Sequence, residues 1–344
     1  MRNFLNACIL LSFFLIACSK SGQSGTDTGN LPPTNLTVSA VAAQDSTGNV
    51  NFTAVATNAI TYDFDFGNGV IQTVASGVVT YKYSASGTYN VNVIAKSSSG
   101  QTVSASTTVT VSVKLNLVWS DEFNIDGAPD PNKWGYDIGT GSGGWGNSEL
   151  EYYTNRTQNV FVQNGLLNIV ALKENYSGSA YTSARLLTQG KYAFTYGRID
   201  IRAKLPSGMG PWPAIWMLGS DISTTAWPAC GEMDIMETNG NNSNKIYGTL
   251  HYPGHSGANG NGNTTIISGA TTAFHVYSLV WSASSINILV DNQVYQTVAN
   301  SSSLPFNQNF FILLNLAMGG TFGGTVDPAF TSATMQIDYI RVYQ

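Results

Sequence analysis

Glu232, Asp234 and Glu237 stand within six residues of one another in the segment GEMDIMETNG, residues 231–240. Acidic and basic side chains together make up only 10% of the 344 residues, so this density of carboxyls is far above the chain's average. The neighbouring WPAC and IM read as buried, and acids clustered in apolar company repel one another and push at least one pKa upward. Such a cluster separates into an ionised carboxylate and a protonated acid, the two states that nucleophilic attack and general acid catalysis need. A solvated strand edge is the commoner origin of charged residues; the apolar flanks argue against it here.

The spacing says more. On a flat strand side chains alternate, so Glu232, Asp234 and Met236 share one face and Glu237 points to the other. One extra residue, a β-bulge, returns Glu237 to the face of the first two acids. The glutamates are then about four strand steps apart, roughly 13 Å between Cα atoms at ~3.3 Å per step. Two long side chains leaning together across that span bring their carboxyls to about 5–5.5 Å, the separation at which a retaining glycosidase works.

The elements that must hold this strand are themselves strands. RIDIRAKL alternates strictly, with Ile199, Ile201, Ala203 and Leu205 on one side and Arg198, Asp200, Arg202 and Lys204 on the other. INILVDNQVYQTV reads as a hairpin around Asp291 and Asn292, and ATMQIDYIRVYQ closes the chain as a strand. No segment carries a long apolar stripe of period 3.6, and Gly- and Asn-rich loops separate the strands. This predicts an all-β chain with a large sandwich of the jelly-roll kind over residues 115–344. Residues 31–113 predict a separate small β-sandwich: Tyr62, Phe64 and Phe66 alternate in YDFDFGNGV before the turn pair Asn68–Gly69, and YKYSASGTYNVNVIA and VSASTTVTVSV add strands. Asp63 and Asp65 lack the further ligands of an EF-hand loop and read as the polar face of a strand.

Hydrophobic residues are 43% and aromatics 11%, enough for substantial cores. The net charge of -5, without a basic stripe, excludes a nucleic-acid surface and favours neutral ligands. At the amino terminus, MRNFLNACILLSFFLIAC has one positive residue and then an apolar run too short for a membrane span, the pattern of a signal peptide over residues 1–17. Its end, LIAC, resembles a bacterial lipobox, which implies cleavage before Cys18, lipidation of Cys18 and attachment of an exported lipoprotein to a membrane. Residues 18–30 then read as a flexible tether. Of three cysteines, Cys8 leaves with the signal, and Cys18 and Cys230 make no disulfide framework.

The segments YGRIDIRAKLPSGMGPWPAIWMLG, GEMDIMETNG and GTLHYPG, with LVWSDEFN, GNSELEYYT, TSARLLTQGKYAFTYGRI, FILLNLAMGG and MQIDYIRVYQ in order around them, resemble glycoside hydrolase family 16 and its laminarinase-like branch. The resemblance implies a jelly-roll with a cleft on its concave face, cutting β-glucan internally with retention at the anomeric carbon. It implies Glu232 as nucleophile, Asp234 as its assistant and Glu237 as general acid/base. Met236, the bulge residue, is shared with the branch that cleaves β-1,3 linkages, some of whose members accept mixed-linkage β-1,3-1,4-glucan. YDFDFGNG with YSASGTYNVNV resembles the polycystic-kidney-disease type (PKD) module of secreted enzymes, which reads as an Ig-like spacer.

Trp212 and Trp216 lie four apart in PWPAIW, an even spacing that puts both rings on one strand face, where they can stack on glucose units. The resemblance places Arg185, Asn147, Glu149 and His251 in the cleft as well. His251 and His255 are four apart, but Pro253 and Gly254 between them break any helix, so they are not a helical metal site. Phe322 stands in TFGG where many relatives have Trp. The resemblance implies no cofactor for catalysis and a structural Ca2+ held by Glu122, Gly165 and Asp338. Two other readings compete with a β-glucanase: a glucan-binding protein without catalysis, which intact acids disfavour, and a related hydrolase of agar or carrageenan, whose sulphated chains an acidic protein disfavours.

Overall fold

The structure, a computed structural model, describes residues 31–83 and 86–344; the signal-like run, Cys18 and the tether lie outside the described residues. The two predicted apolar alternations close around two separate hydrophobic clusters. In the first, Phe52, Phe64, Phe66, Tyr83, Val91 and Val93 are fully buried. A three-stranded sheet (Thr34–Ala42, Asn49–Thr57, Val78–Lys82) and a four-stranded sheet (Ile71–Val74, Thr61–Asp65, Gly87–Lys96, Thr102–Val111) both supply it. Asp63 faces outward, paired with Lys96 and accepting from the Thr73 hydroxyl, as a polar strand face does. The connection at Asn68–Gly69 is longer than a two-residue turn. Phe66 stays in the core, stacked on Tyr81 at 3.9 Å, so the loop closes from its N–H to the carbonyl of Val70.

The second cluster lies between two larger sheets. One has seven strands in the order Asn261–Ile266, Lys245–His251, Glu232–Glu237, Pro211–Gly219, Phe310–Met318, Arg185–Leu187, Gly135–Asp137. The other has ten, and at its centre the closing strand Ser332–Tyr343 pairs with Leu166–Tyr176, Leu117–Asp121 and Gly197–Lys204. The strict alternation of RIDIRAKL is resolved as read: Ile199, Ile201 and Ala203 are 0% exposed and Leu205 2%, while Arg198 and Arg202 pair with Asp200 and Asp338 on the outer side. Asp291 and Asn292, at φ 49° and 63°, make the hairpin turn between Ser285–Val290 and Gln293–Ala299. The one α-helical element among the described residues is a single turn, Gly320–Gly323.

Each large apolar side chain (Val, Leu, Ile, Phe or Met) fully buried between these sheets contributes about 1.5–3 kcal/mol. Replacing Ile201, 0% exposed at the middle of its strand, by Ala is expected to remove about 2–5 kcal/mol of stability, read from a lowered urea midpoint at unchanged m-value.

Candidate active site

The acid strand carries the expected irregularity. Opposite Lys245–His251, Glu232 pairs with His251, Asp234 with Thr249 and Glu237 with Tyr247, so three steps on the acid strand match two on its neighbour. The register against Pro211–Gly219 shifts at the same place. Ile235 and Met236 are consecutive yet both 0% exposed in the core, and Glu237 therefore emerges beside Glu232 and Asp234 on the cleft side. The bulge's freed carbonyl, that of Ile235, accepts the hydroxyl of Tyr295 at 3.1 Å, reaching across from a strand of the opposite sheet. Gly248 permits that approach, since a Cβ there would sit 2.6 Å from the Tyr295 oxygen.

Each glutamate has its own indole. Trp227 Nε1 donates to Glu232 Oε2 and Trp212 Nε1 donates to Glu237 Oε1, both at 2.9 Å. On the other side of Glu232, His251 Nε2 lies 3.1 Å from Asp234 Oδ2 and 3.9 Å from Glu232 Oε1. Burial is the main force on all three acids. It pushes Glu232 well up, reinforced by the charge of Asp234 and opposed by His251 and the Trp227 N–H. It pushes Asp234 well up, with Glu237 adding to it. It raises Glu237, with the Trp212 N–H pulling the other way. All three are thereby pushed toward the protonated form, and Glu232 and Asp234 are close enough to share a proton by a hydrogen bond.

The cleft, about 870 Å³, runs across the outer face of the seven-stranded sheet. All the cleft residues read from the sequence line it: Trp212, Trp216, Arg185, Asn147, Glu149 and His251. Two readings change in detail. Trp212 is 8% exposed, wedged against Phe322 at 5.2 Å, and its polar edge is spent on Glu237, so it orients an acid more than it offers a face to sugar. Trp227, read as buried within WPAC, is 44% exposed, whereas Cys230 of the same segment is fully buried. The even spacing exposed the first pair of indoles; Trp227 sits in a loop, where no periodicity marks it. Trp216 donates to Asn315 Oδ1 at 2.7 Å, and Arg185 lies between the rings of Trp145 and Trp216, 4.6 and 4.8 Å from their centres. Arg185 also pairs with Asp137 at 2.9 Å.

The implied calcium set does not fit the ion. Both oxygens of Glu122 accept from Arg341, at 3.0 and 2.8 Å, and Asp338 is paired with Arg202. Those guanidiniums neutralise the charge that a dication would need, and Gly165, in the left-handed turn at φ 75°, has only its carbonyl to offer. Glu232, Asp234 and His251 place potential ligand atoms within 4.8 Å of one another, but inside the acid cluster itself.

A family model described as Glycosyl hydrolases family 16 matches residues 147–341, spanning the indole strand, the bulged acid strand and the histidine strand. The chain belongs to that family. A second model, Beta-glucan synthesis-associated protein SKN1/KRE6/Sbg1, matches residues 51–232 and stops at the first of the three acids. The chain is similar to a beta-glucanase of Rhodothermus marinus, 45% identical over 66% of this chain and 85% of that protein. It is 41% identical to glucan endo-1,3-beta-glucosidase A1 of Niallia circulans, over 67% of this chain and 38% of that one. The solved structure of LamA from Z. galactanivorans, in complex with laminaritriose and laminaritetraose, superposes with a TM-score of 0.63 at 42% identity, covering 67% of this chain and 100% of that one. The family 16 glycosidase is thus an all-β enzyme whose jelly-roll neighbours match its larger sandwich, and its hydrolysis needs no cofactor.

Acids whose folded-state pKa is raised contribute stability below their unfolded pKa and lose it as pH rises through the folded one. Glu237→Gln, which cannot ionise, is therefore expected to melt higher than the parent at pH 8, by ~2–4 °C per kcal/mol relieved. The gain should vanish near about pH 4, where the parent's acid is neutral too. Calorimetry at both pH values checks this; an equal Tm at pH 8 would contradict the raised pKa.

Proposed function

We propose that this glycosidase is a retaining, endo-acting β-1,3-glucanase in which Glu232 attacks the anomeric carbon and Glu237 protonates the departing glycosidic oxygen. The observation that carries this reading is the bulge, which aims two glutamates, each held by its own indole, into one cleft. Asp234 keeps the proton it shares with Glu232, leaving the Glu232 carboxylate free to form the glycosyl-enzyme ester. Glu237, now ionised, then takes a proton from the water that cleaves that ester. Burial raises both glutamates and an indole N–H opposes it at each, so what separates them is Asp234, which takes up a proton beside Glu232 and leaves Glu237 as the acid.

The β-1,3 preference is supported by the bulge residue Met236 and by the names and bound sugars of the relatives; mixed-linkage β-1,3-1,4-glucan is a second substrate, since other relatives are named endo-1,3-1,4-beta-glycanases. Sulphated galactans are disfavoured by charge. Among the described residues lining the cleft are the acids Glu149, Glu232, Asp234 and Glu237 and one arginine, Arg185, whose charge is taken by Asp137. A cleft with donors and aromatic rings but no spare cation suits a neutral chain. The small sandwich acts as a PKD-type spacer, and with Cys18 lipidated and residues 18–30 as tether it holds the catalytic sandwich away from the membrane of the cell envelope.

Incubation with laminarin, lichenan, agarose and carrageenan in parallel, with NMR of the first product's anomer, is expected to show β-product from laminarin first; α-product, or turnover only of a galactan, would overturn the assignment. Glu237→Gln should lower kcat on laminarin by ~10²–10⁴-fold and recover on an aryl glycoside whose leaving group needs no proton, while Glu232→Gln should not recover. Removing an N–H donor raises the pKa of the carboxyl it served. Trp227→Phe should therefore move the acid limb of the kcat/KM profile to higher pH, and Trp212→Phe the alkaline limb, also to higher pH.

A further inference from the structure

A carboxyl that the reaction does not use lies beneath the cleft floor. Glu151, on the short strand Glu151–Tyr153, is 0% exposed. Its Oε2 accepts the backbone N–H of Met318 at 2.6 Å, and its buried Oε1 has no protein donor facing it. Two residues earlier is Glu149, which has extended backbone, is bridged to Gly319 and lines the cleft, and its carboxyl interacts with that of Glu151. The surrounding hydrogen bonds all run toward Glu149. Trp216 donates to Asn315 at 2.7 Å, Asn315 to the Tyr153 hydroxyl at 3.0 Å, and Tyr153 to Glu149 Oε2 at 2.9 Å. Asn147 donates to Glu149 Oε1 at 3.1 Å.

We propose that Glu151 is a positioning residue: its buried carboxyl ties Glu149 to the Met318 amide and so fixes Glu149 as a hydrogen-bond acceptor for a glucose hydroxyl on the cleft floor. The assignment of a sugar to that floor rests on the glucanase reading above. Chemistry leaves Glu151 little alternative. A bare carboxylate with one amide donor and no cation would be far too costly at zero exposure, and a second negative charge beside Glu149 makes it worse. Both effects raise the pKa of Glu151, and as a neutral acid its otherwise unpartnered oxygen carries an O–H that donates to the Glu149 carboxylate. Glu149 then collects three donors, from Asn147, Tyr153 and Glu151, and keeps lone pairs for a hydroxyl. The Met318 end matters because Met318 closes the strand Phe310–Met318 that also carries Asn315, so the clamp joins the short strand to the sheet beneath the substrate.

Glu151→Gln keeps a donor for Glu149 and an acceptor for the Met318 amide; Glu151→Met keeps the volume and loses both. The infrared difference spectrum of wild type minus Glu151→Gln at neutral pH, on protein without substrate, should show a protonated-carboxyl C=O stretch; its absence overturns the proposal whatever the substrate proves to be. With laminarin, Glu151→Gln should keep KM within about twofold. Glu151→Met should raise KM on the order of tenfold, one lost charge-assisted hydrogen bond, with kcat changed much less. Added to Glu149→Ala, Glu151→Met should cost nothing further, because it acts through Glu149. Fully additive losses, or a Glu151→Gln as impaired as Glu151→Met, would show a packing role only. Failure of the parent to turn over laminarin would count against the glucanase reading and leave the spectroscopic result to decide Glu151.

Discussion

The cleft depends on one surplus residue in one strand. A regular ladder through Glu232–Glu237 would turn Glu237 toward the hydrophobic core, a position no carboxylate can hold without a partner. Sending Ile235 and Met236 inward together removes that conflict at the expense of a backbone carbonyl that the ladder no longer satisfies. Tyr295 satisfies it from the far sheet, through the gap left by Gly248. The acid geometry is therefore secured by the packing of two sheets and not by the acid strand alone, and a hydroxyl with no access to substrate belongs to the machinery that holds the site in shape.

Around that bulge the indoles divide their work. Trp212 and Trp227 are hydrogen-bond donors first, one to each glutamate, while Trp216 faces the cleft with Arg185 packed on it. An indole N–H suits this task because it donates without titrating, so its influence on a carboxyl keeps the same sign at every pH. The imidazole of His251 contributes differently: lying 3.1 Å from Asp234 and 3.9 Å from Glu232, it spans the two carboxyls from the neighbouring strand.

Much of this was legible in the chain itself, for reasons that are physical. The spacing of the acids, two residues and then three, is incompatible with a flat strand, so the bulge is demanded by the requirement that three acids share a face. The alternation of Ile199, Ile201 and Ala203 has no second interpretation. What escaped were features whose meaning depends on distant partners. Trp227 lies in a loop, where side-chain direction follows from the path of the backbone and not from a period. Tyr295 looks like any strand aromatic until the carbonyl of Ile235 is placed opposite it. The ion pairs of Glu122 with Arg341 and of Asp338 with Arg202 join residues far apart in the chain, and only their pairing reveals that those carboxylates are already neutralised.

The cluster also shows what the fold gives up. Three part-buried or buried acids, each with its pKa raised by burial, count against folding once they ionise, and Glu151 below the floor is a fourth carboxyl that burial pushes the same way. A chain selected for stability alone would replace them by amides. Their retention is bearable because the sheet around them is largely apolar: Met233, Ile235 and Met236 fill the core from the acid strand itself, and Phe310–Met318, two strands away, is buried at all nine positions. The same apolar bed that stabilises the sandwich is what desolvates the acids and raises their pKa values. Stability and reactivity here have a single physical source, and weakening the bed would lower both.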